Sequence, residues 1–150
     1  MRGMKDGMEY AGSEYIATTI YNSNVLPVIS ECNTSCVFCS HKQNPSGVEV
    51  FKLPRLDMSD FEDMIDYLSP RRKIIIGESA TRIIEGEPLL HRDILKVIRL
   101  VRKRFKRTAI QITTNGMLLD EDMVETFCRL GGIELNVSVN CVSPEKRRLL

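Results

Sequence analysis

Hydrophobic and polar positions along this chain alternate between short apolar runs and longer stripes at helical spacing. Four apolar runs have the length and composition of strands. They span 25–29, 73–77, 109–113 and 133–140. Three intervening segments repeat apolar residues every three or four positions, which predicts helices. They span 59–68, 91–105 and 120–130. Alternating strands and helices predict parallel strands, because each helical crossover returns the chain to the same sheet and the next strand then runs in the same direction.

Residues that are typical of helix ends refine this prediction. Ser59 and Glu62 have the spacing of a capping box, and Pro70 and the glycine pair at 131–132 supply helix stops. Two shorter segments are predicted less regularly: 15–21 as a strand or hairpin arm, and 82–84 as an extension or short partner of the second strand.

The fourth apolar run predicts a sheet with one polar face. Ile133, Leu135, Val137 and Val139 share one face, and Glu134, Asn136, Ser138 and Asn140 share the other. A parallel sheet covered by helices on both faces would be apolar on both. The predicted fold is therefore α/β, a partial TIM-like (βα) barrel of parallel strands with about four βα units. Residues 1–23 are predicted to be an N-terminal extension, and 24–150 the core domain.

Composition excludes several classes of function. The 150 residues are 43% hydrophobic and 27% charged with a net charge of +1, as in an ordinary globular domain. The balanced charge gives no clear signal for nucleic acid, and the basic cluster at 102–107 is predicted to be a solvated helix end. No apolar run approaches the roughly 20 residues of a membrane span, so a cytoplasmic location is expected.

Candidate chemistry is concentrated in one C-x3-C-x2-C run formed by Cys32, Cys36 and Cys39. Three thiolates from a short loop can hold an iron–sulfur cube and leave one iron open for a ligand that is not protein. A zinc site that adds His41 as fourth ligand is the alternative. A disulfide is the least favoured reading, because the chain has five cysteines and no secretory segment precedes them.

The run resembles the signature of the radical S-adenosylmethionine superfamily, in which an aromatic residue, here Phe38, precedes the last cysteine. The resemblance implies that Cys32, Cys36 and Cys39 hold a [4Fe–4S] cluster and that Phe38 packs near the adenine of S-adenosylmethionine. It further implies reductive cleavage to a 5′-deoxyadenosyl radical, which abstracts hydrogen from a substrate that the sequence does not identify. An electron donor such as flavodoxin or ferredoxin is the implied partner.

Three further short elements resemble family motifs, each at a predicted strand end. They are Gly86-Glu87-Pro88, Thr114-Asn115-Gly116 and Ser138-Val139-Asn140. The resemblance implies that the first holds the amino group of S-adenosylmethionine and that Ser138 and Asn140 approach its ribose or sulfonium end. It also implies that Thr114 and Asn115 bind the cofactor, although Thr-Asn-Gly is equally typical of a strand-to-helix turn. Glu85 departs from the family pattern, which has a glycine there for close backbone approach.

The length raises a further expectation, because a closed eight-unit barrel takes roughly 250 residues. The 150 residues therefore resemble the N-terminal half of a longer enzyme, and by themselves are expected to turn over slowly or not at all. Cys128 is predicted to be a small core residue on its helix. Cys141 follows a strand end, so a role near the site is the alternative to the favoured interpretation that it has none.

Overall fold

A computed structural model describes residues 7–39, 43–78 and 81–147. Four strands form one sheet in the order β1-β2-β3-β4, and all neighbouring strands are parallel. The strands are β1 (Val25–Leu26), β2 (Ile74–Ile76), β3 (Ile110–Thr114) and β4 (Ile133–Val137). The helices are α1 (Gly7–Ser23), α2 (Met58–Met64), α3 (Ile94–Arg104), α4 (Glu121–Leu130) and α5 (Pro144–Arg147), with 3-10 turns at Ile65–Tyr67 and Pro88–Leu90. The α/β prediction with parallel strands is confirmed.

Along β3 and β4 the sheet has one apolar and one polar face, as the alternation predicts, whereas β1 and β2 place Val25 and Ile75 on the polar face's continuation. Ile76, Ile112 and Leu135 lie in register across three strands on the face that carries the core. On the opposite face Gln111 lies beside Glu134, and Thr113 beside Asn136. The amide nitrogen of Asn136 lies 3.4 Å from the Thr113 hydroxyl. The second face therefore offers a hydrogen-bonding surface along β3 and β4.

The segment predicted as a strand or hairpin arm at 15–21 belongs instead to α1, so that prediction is wrong. Ile16 and Ile20 are four positions apart and both enter the core. A helix places both on one face, and their burial outweighs the strand preference of the β-branched residues around them. Asn24 ends α1 with a positive φ of 59°, and its backbone N–H donates to the Ile20 carbonyl. The proposed boundary between 1–23 and 24–150 stays a prediction.

Two helix details also differ from the predictions. The capping box of α2 lies two residues earlier than expected: Asp57 is the N-cap and its partner is Asp60. In α4 only Phe127 is buried, whereas Val124 and Cys128 are exposed. Cys128 is therefore not a core residue, because α4 turns only a narrow stripe toward the sheet.

The connection after β2 makes an excursion before it reaches the Gly86-Glu87-Pro88 element. Ile83 is fully buried and forms a single parallel bridge with Phe51, so it is a short partner of the segment that contains Phe51. Gly77 at the end of β2 packs against Pro88, since a Cβ on Gly77 would lie 2.7 Å from the proline ring. The two ends of the excursion therefore meet, and the element returns to the edge of the sheet where the strands end, here called the carboxyl edge.

Candidate cofactor site at the carboxyl edge of the sheet

The cysteine loop follows β1 and turns back on itself. The Cys32 sulfur lies 3.2 Å and the Cys36 sulfur 3.5 Å from the same Thr34 hydroxyl. The backbone N–H of Cys39 donates to the Cys36 carbonyl at 3.1 Å. The three cysteines of this loop form no disulfide; Cys32 is exposed, and Cys36 and Cys39 are half-buried. The loop thus presents three accessible thiols between positions 32 and 39.

Residues 84–87 run alongside the segment that leads into Cys32. The N–H of Gly86 donates to the Ile29 carbonyl at 2.7 Å, and that of Glu87 donates to the Glu31 carbonyl at 2.9 Å. The Ser30 hydroxyl donates to the Ile84 carbonyl at 2.7 Å. These bonds join the chain that follows β1 to the segment that precedes Pro88. The predicted amine-binding element therefore lies directly against the chain that carries the first cysteine.

Gly86 is required by this close approach. A Cβ at this position would lie 1.9 Å from the carbonyl oxygen of Glu31, well inside the shortest contacts of real side chains. Backbone atoms cannot move aside as a flexible side chain can, so any larger residue would separate the two segments.

Glu87 joins the ends of β2 and β3 through a buried carboxylate that is only 3% exposed. One oxygen accepts from the Thr114 hydroxyl at 2.6 Å and from the Leu89 N–H at 3.2 Å. The other accepts from the Asn115 N–H at 2.7 Å. A carboxylate offers about four acceptor positions, so the three bonds leave room for one further donor.

Asn115 extends this network to the cysteine loop. Its side-chain amide donates to the Asn33 side-chain oxygen at 2.7 Å, and its own oxygen accepts from the Met117 N–H at 3.0 Å. The structure therefore brings together Cys32, Glu87 and Asn115, which are far apart in sequence.

The remaining predicted residues border this junction in different ways. Ser138 follows β4, and its N–H donates to the Thr114 carbonyl at 2.9 Å. The side chains of Ser138 and Asn140 are exposed, as is that of Phe38 at 53%. Pro88 is buried at the start of the 3-10 turn. The cofactor-binding roles of all these residues stay predictions.

The Glu85 side chain is buried rather than exposed to solvent. It is 7% exposed, and one carboxyl oxygen has no hydrogen-bond partner among the described residues. Burial raises the pKa of Glu85 to about 8, against a smaller lowering effect of the Val28 backbone hydrogen bond. This carboxyl is therefore protonated at neutral pH.

The zinc alternative depends on a residue that the structure leaves out, because His41 lies outside the described residues. Among the residues that are described, no three His, Cys, Asp or Glu side chains lie close enough to hold a single metal ion. A cluster is held differently, because each thiolate binds its own iron. Cys141 is half-buried and donates to the Ser143 carbonyl at 3.6 Å, away from the cysteine loop in sequence.

Sequence reasoning missed three residues at the junction. Asn33 and Thr34 lie inside the cysteine run, where no separate pattern marks them. Ser30 carried a weak signal, since it is a small polar residue directly after an apolar run. In the structure it both donates to Ile84 and accepts from the Leu53 N–H at 2.9 Å, which binds three segments together.

The structure is a parallel α/β sheet that carries three thiols at its carboxyl edge, where parallel folds place their sites, and thiolates are the ligands of iron–sulfur clusters. The family model of the Radical SAM superfamily matches residues 26–150. The chain belongs to this superfamily, and the resemblance drawn from the cysteine run is confirmed. The cofactors that the superfamily implies are a [4Fe–4S] cluster and S-adenosylmethionine.

Curated relatives include GTP 3',8-cyclases from several bacteria. The Aquifex aeolicus protein is 30% identical over 125 residues, which cover 83% of this chain and 37% of the relative. The Lactiplantibacillus plantarum protein is 27% identical over 122 residues, covering 81% of this chain and 34% of the relative. The chain thus spans about a third of the length of the curated relatives it matches.

A solved structure supports the fold. The crystal structure of BtrN in complex with AdoMet and 2-DOIA matches with a TM-score of 0.60 and 21% identity, covering 83% of this chain and 48% of that chain. None of the helices within the described residues is long and apolar enough to cross a membrane.

Proposed function

We propose that this chain forms the cofactor-binding part of a radical enzyme, in which Cys32, Cys36 and Cys39 hold a [4Fe–4S] cluster and the adjacent strand ends hold S-adenosylmethionine. When bound, the reduced cluster supplies the electron that cleaves S-adenosylmethionine to a 5′-deoxyadenosyl radical, and this radical removes a hydrogen atom from the substrate. We also propose that 24–150 constitutes the core domain and 1–23 an extension of it.

The observation that carries the proposal is the hydrogen-bonded junction of three motifs. The cysteine loop contacts the Gly86-Glu87 element through the backbone of Ile29 and Glu31. It contacts the Asn115 element through Asn33. Three motifs that are separate in sequence therefore form one wall, as a cofactor that spans cluster, amine and ribose requires.

The donor set fits the cluster chemically. The three thiols are free and accessible, and soft thiolates are the ligands that iron–sulfur clusters take. With three thiolates from the chain, one iron is left for an external ligand.

Each neighbouring residue then has a definite task. Glu87 has one acceptor position left for the amino group of S-adenosylmethionine after its three internal hydrogen bonds. Phe38 offers an exposed ring on which an adenine can pack. Thr114, Ser138 and Asn140 supply polar groups for the ribose or sulfonium end. Gly86 and Pro88 fix the loop that carries Glu87.

The polar face of the sheet favours a substrate rich in hydrogen-bonding groups. Gln111 donates to the Glu78 carboxylate at 3.1 Å, and Lys73 forms an ion pair with Glu134 on the same face. Since curated relatives are GTP 3',8-cyclases, GTP is the first substrate to test. A flavodoxin or ferredoxin would supply the electron, and the cytoplasm, which protects such clusters from oxygen, is the proposed location.

The test is anaerobic reconstitution of the chain with iron and sulfide, followed by metal analysis. We expect a brown protein with about four irons and four sulfides per chain. Cys32→Ala should lose this cluster, whereas the matched variant Cys128→Ala, which removes an exposed cysteine on α4, should retain it. A colourless protein with one tightly bound zinc would contradict the proposal.

A further inference from the structure

One side-chain hydrogen bond crosses from the cysteine loop to the end of β3. The Asn115 amide nitrogen donates to the Asn33 side-chain oxygen at 2.7 Å. This short contact joins residues 82 positions apart in sequence. Asn33 is the immediate neighbour of Cys32, and the next residue, Thr34, touches the sulfurs of both Cys32 and Cys36.

The direction of this hydrogen bond follows from the rest of the network. The Asn115 side-chain oxygen accepts from the Met117 N–H, so the amide nitrogen of Asn115 faces the cysteine loop. Its partner on Asn33 must therefore be an oxygen.

Asn115 is itself held by a buried group. Its backbone N–H donates to the Glu87 carboxylate at 2.7 Å, and Glu87 is only 3% exposed. A continuous set of contacts thus runs from the buried carboxylate through Asn115 and Asn33 to the first cysteine.

We propose that Asn33 and Asn115 form a clasp that positions Cys32 against the carboxyl edge of the sheet. Neither asparagine touches the reacting atoms in this role; both are positioning residues that act through Cys32 and Glu87. The clasp rests on the proposed function for the identity of the group that Cys32 binds. Its physical consequence is that the cluster ligand and the amine-binding carboxylate are held as one unit.

Two variants that share an aspartate at position 33 separate the hydrogen bond from the effect of charge. Asn33→Asp keeps an acceptor for the Asn115 amide, and a charged acceptor strengthens such a bond. The double variant Asn33→Asp, Asn115→Leu carries the same charge but has no donor for it, because an aspartate cannot turn an amide toward position 115 as Asn33 could. Met117 is exposed, so water can replace the Asn115 oxygen at its N–H.

The first measurement is the rate at which a chelator removes iron from the reconstituted chain. We expect the double variant to lose iron roughly fivefold to tenfold faster than the unaltered chain, as the loss of one hydrogen bond predicts. Asn33→Asp should stay within about twofold, on the same hydrogen-bond reasoning. Equal acceleration in both variants, or none in either, would overturn the clasp.

The second measurement needs no cluster. In heteronuclear NMR spectra of the metal-free chain, Asn33→Ala should shift the side-chain amide resonances of Asn115, which lies 82 positions away in sequence. The matched variant Asn22→Ala, at an exposed asparagine near the end of α1, should leave them unchanged. Unshifted Asn115 side-chain resonances in Asn33→Ala would overturn the clasp. Failure of the unaltered chain to take up iron would instead contradict the proposed function, and the NMR result would still decide the clasp.

Discussion

Replacing Glu85 by glutamine should change how the stability of this protein depends on pH. The Glu85 side chain is 7% exposed, and burial raises its pKa to about 8 from an ordinary value of 4.5. Glutamine has nearly the same shape as the protonated carboxyl and keeps an oxygen for the Val28 N–H, but it cannot ionise. The substitution therefore removes one titration and leaves the packing in place.

The sign follows from which state holds the proton. Between pH 4.5 and about 8 the folded protein keeps the Glu85 proton while the unfolded chain has lost it. The stabilisation that the Glu85 carboxyl contributes is therefore fully present below pH 4.5, and it is lost as the pH rises through about 8. Each pH unit in this window costs about 1.4 kcal/mol, so the full window is worth about 5 kcal/mol. The quantity to compare is the free energy of unfolding of Glu85→Gln minus that of the unaltered protein. At pH 7 this difference should be about 3 kcal/mol larger than it is below pH 4.5.

Urea denaturation of both proteins across this pH range measures the effect. The difference between their free energies of unfolding cancels the titration of every other group. Asp57→Asn is the opposite-sign control, because hydrogen bonds from Ser59 and Asp60 lower the pKa of Asp57. Its variant should lose stability relative to the unaltered protein as pH rises from acid to neutral. If the free energies of unfolding of Glu85→Gln and the unaltered protein differ by the same amount at every pH, the conclusion that Glu85 is buried and protonated is refuted.

Three structural substitutions have predictable costs. Gly86→Ala forces a Cβ against the Glu31 carbonyl and should lower the free energy of unfolding in urea by at least about 2 kcal/mol; an unchanged midpoint would contradict the close approach. Asn24→Ala removes a buried amide that bonds three backbone carbonyls and should cost about 3 kcal/mol by the same assay, with less than about 1 kcal/mol counting against it. Arg102→Lys loses a guanidinium that reaches the carbonyls of Phe105, Thr108 and Gly132, and should lower the melting temperature by roughly 3–6 °C.

Much of the sheet could be predicted from the sequence because each strand carries a local pattern. The alternation at 133–136 and four isoleucines determine which face enters the core: Ile74, Ile76, Ile110 and Ile112. The helix at 7–23 was mispredicted, because strand-favouring residue types obscured the four-residue spacing of Ile16 and Ile20. The course of the chain after β2 also could not be predicted, since it depends on the bridge between Ile83 and the distant Phe51.

The candidate site divides in the same way. The cysteines and the strand-end motifs are local signals, and the topology of parallel strands predicts that they meet at one edge. The contact between Asn33 and Asn115 depends on two loop conformations and has no local signal. The burial of Glu85 contradicts the usual exposure of glutamate, so only the packed structure reveals it.

Electron paramagnetic resonance of the reduced, reconstituted chain tests the central claim most directly. The spectrum should be recorded with and without S-adenosylmethionine whose amine nitrogen carries an isotopic label. An open iron beside Glu87 predicts a changed spectrum with a magnetic coupling to the labelled nitrogen. A cluster spectrum that S-adenosylmethionine leaves unchanged, with no such coupling, would contradict the account.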